Sequence, residues 1–136
     1  MEKMRSCFHR ISTKALVFDE TRKKFLLMRE DNDMWDFPGG GLDFGEDIKE
    51  SIIREIREEM WLEVVSMDTK PSYFVTSYNP EKDVRLGQPF YETILKDLNI
   101  TPSDECQEVR FVTKEEAEKL NIRPNVAAFL KQFKPA

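Results

Sequence analysis

An α/β or α+β sandwich, a mixed β-sheet with helices on its faces, is the fold class that the order of patterns along this chain predicts. Three observations carry the prediction: five short strand-like runs, two apolar and three rich in aromatic and β-branched residues, one long amphipathic helical stretch between the second and third of them, and two short helical stretches at the end. With 136 residues, 40% apolar and 11% aromatic, the chain has the size of one domain with its own core, so a single domain over residues 1–136 is expected.

Residues 12–19, STKALVFD, and 24–30, KFLLMRE, are apolar runs separated by polar turn material, which predicts a hairpin. From Glu46 or Asp47 to Met60 there is no Gly or Pro, and Ile52, Ile53, Ile56 and Met60 recur at helical spacing, predicting one amphipathic helix. The runs YFVTSY (73–78), PFYETIL (89–95) and EVRFV (108–112) predict three further strands, with Asn79 to Gly87 as a mobile loop. Thr113 followed by Glu116 is a capping box opening a short helix to about Leu120. A last helix follows Pro124, its buried side supplied by Val126, Ala127, Phe129, Leu130 and Phe133.

Composition removes several function classes. A net charge of −5 argues against broad contact with nucleic-acid phosphates, which needs a basic surface. No apolar run reaches the length needed to span a bilayer, and the N-terminus MEKMRSCFHR lacks the apolar segment of a signal peptide, so a cytoplasmic protein is expected. Cys7 and Cys106 are distant in sequence and form no metal or redox motif, so both are read as reduced.

The chemistry concentrates in residues 38–62, PGGGLDFGEDIKESIIREIREEMWL. At about 100° per residue, with Glu46 at zero, Glu58, Glu55 and Glu59 fall near 120°, 180° and 220°, beside the apolar stripe. Like charges at these spacings repel, and burial worsens the repulsion unless something positive sits between them. Arg54 and Arg57 project to the flank of the acidic stripe, so a bound divalent cation is its natural partner. Carboxylates suit a hard ion such as Mg²⁺ or Mn²⁺, and Mg²⁺ commonly takes remaining ligands from substrate phosphates. Gly39, Gly40 and Gly41 let the main chain approach a ligand directly. Taken alone, an acidic helix is more often a solvated face and Pro38-Gly39-Gly40 a simple turn. Their conjunction is what points to a site.

These residues resemble the Nudix box of MutT-like hydrolases almost position for position: Gly40, Glu46, then Arg54-Glu55-Ile56-Arg57-Glu58-Glu59 and the apolar Met60 and Leu62. The likeness extends to Trp35-Asp36-Phe37-Pro38-Gly39 before the box and to Glu105–Phe111 with Thr113–Glu116 after it. The resemblance implies a Nudix-type αβα sandwich with a mixed central β-sheet. It also implies Mg²⁺- or Mn²⁺-dependent hydrolysis of a nucleoside diphosphate linked to another moiety, by water attack at phosphorus. By position, Glu55, Glu58 and Glu59 would bind the metal, the Gly39 carbonyl could add a ligand, and Arg54 would orient the glutamates by pairing with Glu46. One of the helix glutamates would act as base. A further carboxylate outside the box is expected, with Glu108 and Glu105 ranked ahead of Glu92.

The implied partner is a small nucleotide diphosphate, with no nucleic acid and no membrane, and a homodimer is somewhat favoured by resemblance. One position departs from the pattern. Where the box has a glycine, this chain has Trp61, so either the tryptophan accepts the left-handed conformation or the helix runs on with the indole covering apolar surface. His9 is read as surface or core, the methionines as packing, and Trp35 and Phe37 as pocket lining or core. Tyr73, Phe74, Tyr78, Phe90 and Tyr91 are read as alternating strand residues. The alternative reading, a Nudix-fold sensor or interaction module without turnover, keeps the fold and loses the chemistry.

Overall fold

The computed structural model describes residues 8–135; Cys7 lies outside them. Strand β1 (Arg10–Leu16) is central in a mixed sheet with β4 (Gly39–Gly41), β7 (Val84–Leu95), β5 (Val64–Met67) and β6 (Tyr73–Asn79). The pair β1·β7 is parallel and the other pairings are antiparallel. A second, antiparallel sheet joins β3 (Trp35–Asp36), β2 (Phe25–Arg29) and β8 (Glu108–Val112).

The predicted hairpin is only its own turn. Asp19 N–H donates to the Lys24 carbonyl and Leu26 N–H to the Val17 carbonyl, but beyond the Phe18–Phe25 bridge β1 and β2 diverge into different sheets. Each is a buried run that finds other partners: β1 lies between β4 and β7, and β2 between β3 and β8. The predicted mobile loop Asn79–Gly87 is also corrected, because β6 and β7 stay paired up to Asn79 and Val84. Between them the Asn79 side chain accepts from the N–H groups of Glu81 and Lys82, and Asp83 takes a positive φ of 50°, so the turn closes locally.

Helix α1 (Ile48–Met60) starts where expected, with Asp47 as N-cap accepting from Glu50 N–H at 2.8 Å. It buries Ile52, Ile56 and Met60 against Ala15, Leu26 and Tyr91 on one side of the sheets. Helix α2 (Lys114–Glu118) carries both bonds of the Thr113–Glu116 capping box. Helix α3 (Pro124–Gln132) covers the opposite side, where Phe129 packs against Phe37 and Phe90 with ring centroids 4.8 and 5.1 Å away. Ala127 is exposed, against expectation, and Asn125 takes a buried place on that face of the helix. Successive residues of β1 and β7 point to opposite layers: Leu16 and Phe90 join the α3 cluster, Ala15 and Tyr91 the α1 cluster. The result is an αβα arrangement. Trp35 and Phe37 are core, His9 is exposed, and Cys106 is a buried free thiol.

Trp61 accepts the left-handed conformation, with φ 59° and ψ 36°, and its N–H donates to the Arg57 carbonyl. The helix therefore closes as a glycine would close it, and the indole, 67% exposed, covers little.

Candidate functional site

Strand β4 is the edge over which α1 reaches the cleft. Gly39 has φ 132°, and a side chain there would collide with the Thr13 carbonyl, so only glycine fits. At Gly40 a Cβ would lie 2.6 Å from the Glu55 carboxyl carbon, so the absent side chain is what lets that carboxylate lie on the strand. Gly39 N–H donates to Glu59 Oε1 at 3.0 Å, and Glu59 is 4% exposed. Beneath, Thr13 and Ser51 hydroxyls bond at 3.0 Å and fasten α1 to β1.

Glu105 approaches from the loop before β8. A local turn, with Ser103 N–H donating to the Cys106 carbonyl, shapes that loop, and the Ser103 hydroxyl donates to the Glu59 carbonyl at 2.8 Å. Carboxylate oxygens of Glu55, Glu59 and Glu105 then lie within 4.8 Å of one another. Glu108 is not in this group. Its carboxylate accepts from Arg29 at 2.8 Å and lies 3.6 Å from Arg110, as an ion pair across β2 and β8. Of the two carboxylates ranked first as the extra ligand, Glu105 lies with the helix glutamates and Glu108 in this ion pair. Glu92 pairs with Arg22 elsewhere. Glu58 sits at the edge, its side chain 54% exposed and bonded to Arg54 at 3.2 Å.

Arg54 lies within the acidic network rather than on its flank. It donates to both oxygens of Glu46 at 2.8 and 3.0 Å, to Glu55 at 3.0 Å and to the Gly41 carbonyl at 3.1 Å. Those bonds from Arg54 hold the Glu46 carboxyl at about 2, so it stays ionised and fixes the guanidinium. Glu59 moves the other way: burial pushes it well above 4.5, although the charge of Lys14 and the Gly39 N–H oppose this. Burial also raises Glu55, against the pull of Arg54. Dehydrated carboxylates that resist ionisation fit a bound cation, which would replace the missing solvation.

Glu55, Glu59 and Glu105 with Gly39, Gly40 and Gly41 line a cleft of about 660 Å³. Its floor holds a residue that sequence reasoning missed. Lys14, 4% exposed, donates to Asp36 at 3.1 Å and to the Phe37 carbonyl at 3.4 Å. Burial disfavours its charge, but Asp36 and Glu59 outweigh burial and raise its affinity for the proton. The signal was a lysine inside the apolar run of β1, a strand buried on both faces. Asp36 in turn accepts from Phe37 N–H at 2.7 Å and from the Asn125 amide at 3.0 Å. At the rim, Arg123 pairs with both oxygens of Glu30 at 2.9 Å and lies 3.2 Å from Glu81.

An RNA pyrophosphohydrolase of Campylobacter jejuni is 33% identical over 75 residues, covering 54% of this chain and 48% of that protein. A putative 8-oxo-dGTP diphosphatase of Bacillus subtilis is 43% identical over 45 residues, covering 33% and 30%. The chain thus spans about half the length, or less, of these curated relatives. The crystal structure of a MutT NUDIX hydrolase from Burkholderia pseudomallei superposes with a TM-score of 0.76 at 16% identity, covering 93% of this chain and 99% of that one. The NUDIX domain model matches from residue 8 to residue 133, and the chain therefore belongs to the Nudix family.

Proposed function

We propose that this protein is a Mg²⁺- or Mn²⁺-dependent pyrophosphohydrolase cleaving the diphosphate of a nucleoside diphosphate linked to another moiety, a nucleoside triphosphate or nucleotide-sugar type of substrate. The observation that carries the reading is the convergence of Glu55, Glu59 and Glu105 within 4.8 Å beside Gly39 and Gly40. Glu55, Glu59 and Glu105 would hold the metal, with Glu58 and the Gly39 carbonyl at its edge. When bound, the metal supplies positive charge to the phosphoryl oxygens and lowers the pKa of an attacking water. Arg54, anchored by Glu46, keeps Glu55 and Glu58 turned to the site, and one of the helix glutamates takes the proton of the attacking water. The NUDIX match over residues 8–133 supports one domain over 1–136. No helix among the described residues is long and apolar enough to cross a membrane, and we place the reaction in the cytoplasm.

The name of the Campylobacter relative adds the 5′ end of RNA as a second substrate to test. The chain's net charge of −5 favours the small nucleotide. A screen of nucleoside diphosphate and triphosphate derivatives and 5′-triphosphorylated RNA with Mg²⁺, reading released phosphate or pyrophosphate, should find turnover. Nucleotide binding without release would establish the sensor reading instead. In a Mn²⁺ titration, Glu105→Gln should weaken binding about tenfold and Glu108→Gln should leave it unchanged; the reverse order would restore Glu108 to the site.

A further inference from the structure

The floor of the cleft carries unused hydrogen-bonding capacity that the carboxylate cluster does not need. An ammonium has three N–H donors; Lys14 spends two, on Asp36 and Phe37, which leaves one without a protein partner among the described residues, and the residue lines the cleft. Next to it on β1, two residues away and on the same face, Ser12 is 6% exposed, lines the cleft and has no side-chain partner among the described residues. On the adjoining strand β7, Gln88 is 1% exposed. Its Oε1 accepts from the Ser77 hydroxyl at 2.7 Å, which leaves its amide N–H groups free at the cleft. The parallel register of β1 and β7, with Ile11 opposite Gly87 and Lys14 opposite Phe90, sets Ser12 and Gln88 side by side.

No buried side-chain nitrogen or oxygen among the described residues lacks a partner, so the unpaired Ser12 hydroxyl and Gln88 amide are reached from the cleft and stand open to a ligand. Three donors of which one is cationic suit an oxyanion. Lys14 stands opposite Gly39 in the β1·β4 register and faces Glu59, and Lys14, Ser12 and Gln88 line the same cleft as Glu55, Glu59 and Glu105, so an oxyanion held by them shares that cleft with the carboxylate cluster. We propose that Lys14, Ser12 and Gln88 form a phosphate-binding floor that holds non-bridging oxygens of the substrate's diphosphate without help from the metal. This rests on the pyrophosphohydrolase reading and adds to it a contact supplied by protein donors alone.

The test uses α,β-methylene ribonucleoside triphosphates, whose α–β bridge resists cleavage, and calorimetric titration of the wild type and variants in EDTA and in Mg²⁺. The wild type should retain measurable affinity in EDTA. Lys14→Met should lower it about tenfold or more, while the affinity of the nucleotide-free protein for Mn²⁺ is kept or raised, because a cation facing Glu59 has been removed. Unchanged nucleotide affinity would overturn the proposal. So would an equal loss of Mn²⁺ affinity, because Lys14 would then serve the carboxylates rather than the substrate. If Lys14→Met fails to fold, Ser12→Ala and Gln88→Met decide: weaker binding in EDTA from both supports the floor, and wild-type affinity in both removes it. A wild type that turns over a nucleotide yet shows no metal-free binding refutes the floor alone, whereas a wild type that neither binds nor cleaves any nucleotide in Mg²⁺ refutes the functional reading itself.

Discussion

The two walls of the cleft are built on opposite electrostatic plans. On the helix wall several carboxylates surround one cation, Arg54, whose side chain is 28% exposed. On the sheet wall one buried cation, Lys14, is held by Asp36 and faces Glu59. Water reaches Arg54 and Glu58 at the outer end of the first network and screens them, while the nearly dry Glu55 and Glu59 hold their charges reluctantly, so a metal can supply the missing solvation at modest cost to the fold. The second is dry, and breaking it leaves a charge with nowhere to go. The helix wall should therefore answer mutation in activity with little loss of fold, whereas breaking the Lys14–Asp36 pair of the sheet wall should cost stability as well as substrate affinity.

The largest effect expected is on activity. Glu59→Gln preserves an acceptor for the Gly39 N–H but removes a charged ligand, and should lower turnover by about 10²–10⁴-fold, with the urea midpoint kept or raised. Turnover within a factor of a few of wild type would take Glu59 out of the machinery and dissolve the contrast. On the opposite wall, Asp36→Asn strands Lys14 and should cost about 3 kcal/mol or more of unfolding free energy. Removing the lysine as well, in Asp36→Asn with Lys14→Met, should recover part of that loss. A double variant no more stable than the single one would show that the ion pair is not what Asp36 contributes.

The helix wall was legible because its information is local. Periodicity over residues 46–60 locates the helix and its acidic stripe, and the glycine run before it is read directly, without any tertiary knowledge. The sheet floor was not, since Lys14, Asp36, Gln88 and Asn125 come from β1, β3, β7 and α3, and only the parallel β1·β7 pairing brings Lys14 and Gln88 together. The short strands Trp35–Asp36, Gly39–Gly41 and Val64–Met67 escaped for a related reason: two to four residues carry too little period, and the glycines read as a turn. Arg54 was read as a flanking residue because helical projection ignores the reach of its side chain, which spans from Glu46 to Glu58. Glu108 and Glu105 could not be ranked from sequence, as the partner that occupies Glu108, Arg29, lies on another strand.

Acidity offers a sharper cut within the helix wall, where Glu46 and Glu59 move in opposite directions. In the metal-free protein Glu59 has a folded value well above 4.5, so between 4.5 and that value the folded state binds more protons than the unfolded state. Stability must then fall as pH rises through that window, with the raised Glu55 adding to the trend. Glu46, depressed to about 2, contributes stability above 4.5 that is lost as pH falls toward its folded value. Urea midpoints in EDTA from about pH 4 to 8 should therefore decline toward neutrality, flatten in Glu59→Gln, and recover when excess Mg²⁺ binds the folded form. A wild-type midpoint that climbs over this range would mean that Glu59 is stabilised as the anion without a metal.

Trp61 closes the same helix and supplies the smallest test. A non-glycine residue at φ 59° pays a left-handed penalty of about 1 kcal/mol or more, and the indole recovers little because it is 67% exposed. Trp61→Gly should therefore raise unfolding free energy by about 0.5–1 kcal/mol, the relief of strain being partly offset by the greater freedom of glycine in the unfolded chain. Trp61→Ala keeps the penalty and removes the ring, so it should sit near wild type. Should Trp61→Gly instead destabilise, and Trp61→Ala do so equally, the ring must be packing on the domain after all. Because Glu55 and Glu59 lie more than half a turn before Trp61 and are fixed by Arg54 and Gly39, neither variant should change kcat; a change there would tie the helix terminus to the chemistry and join the two ends of α1 into one functional unit.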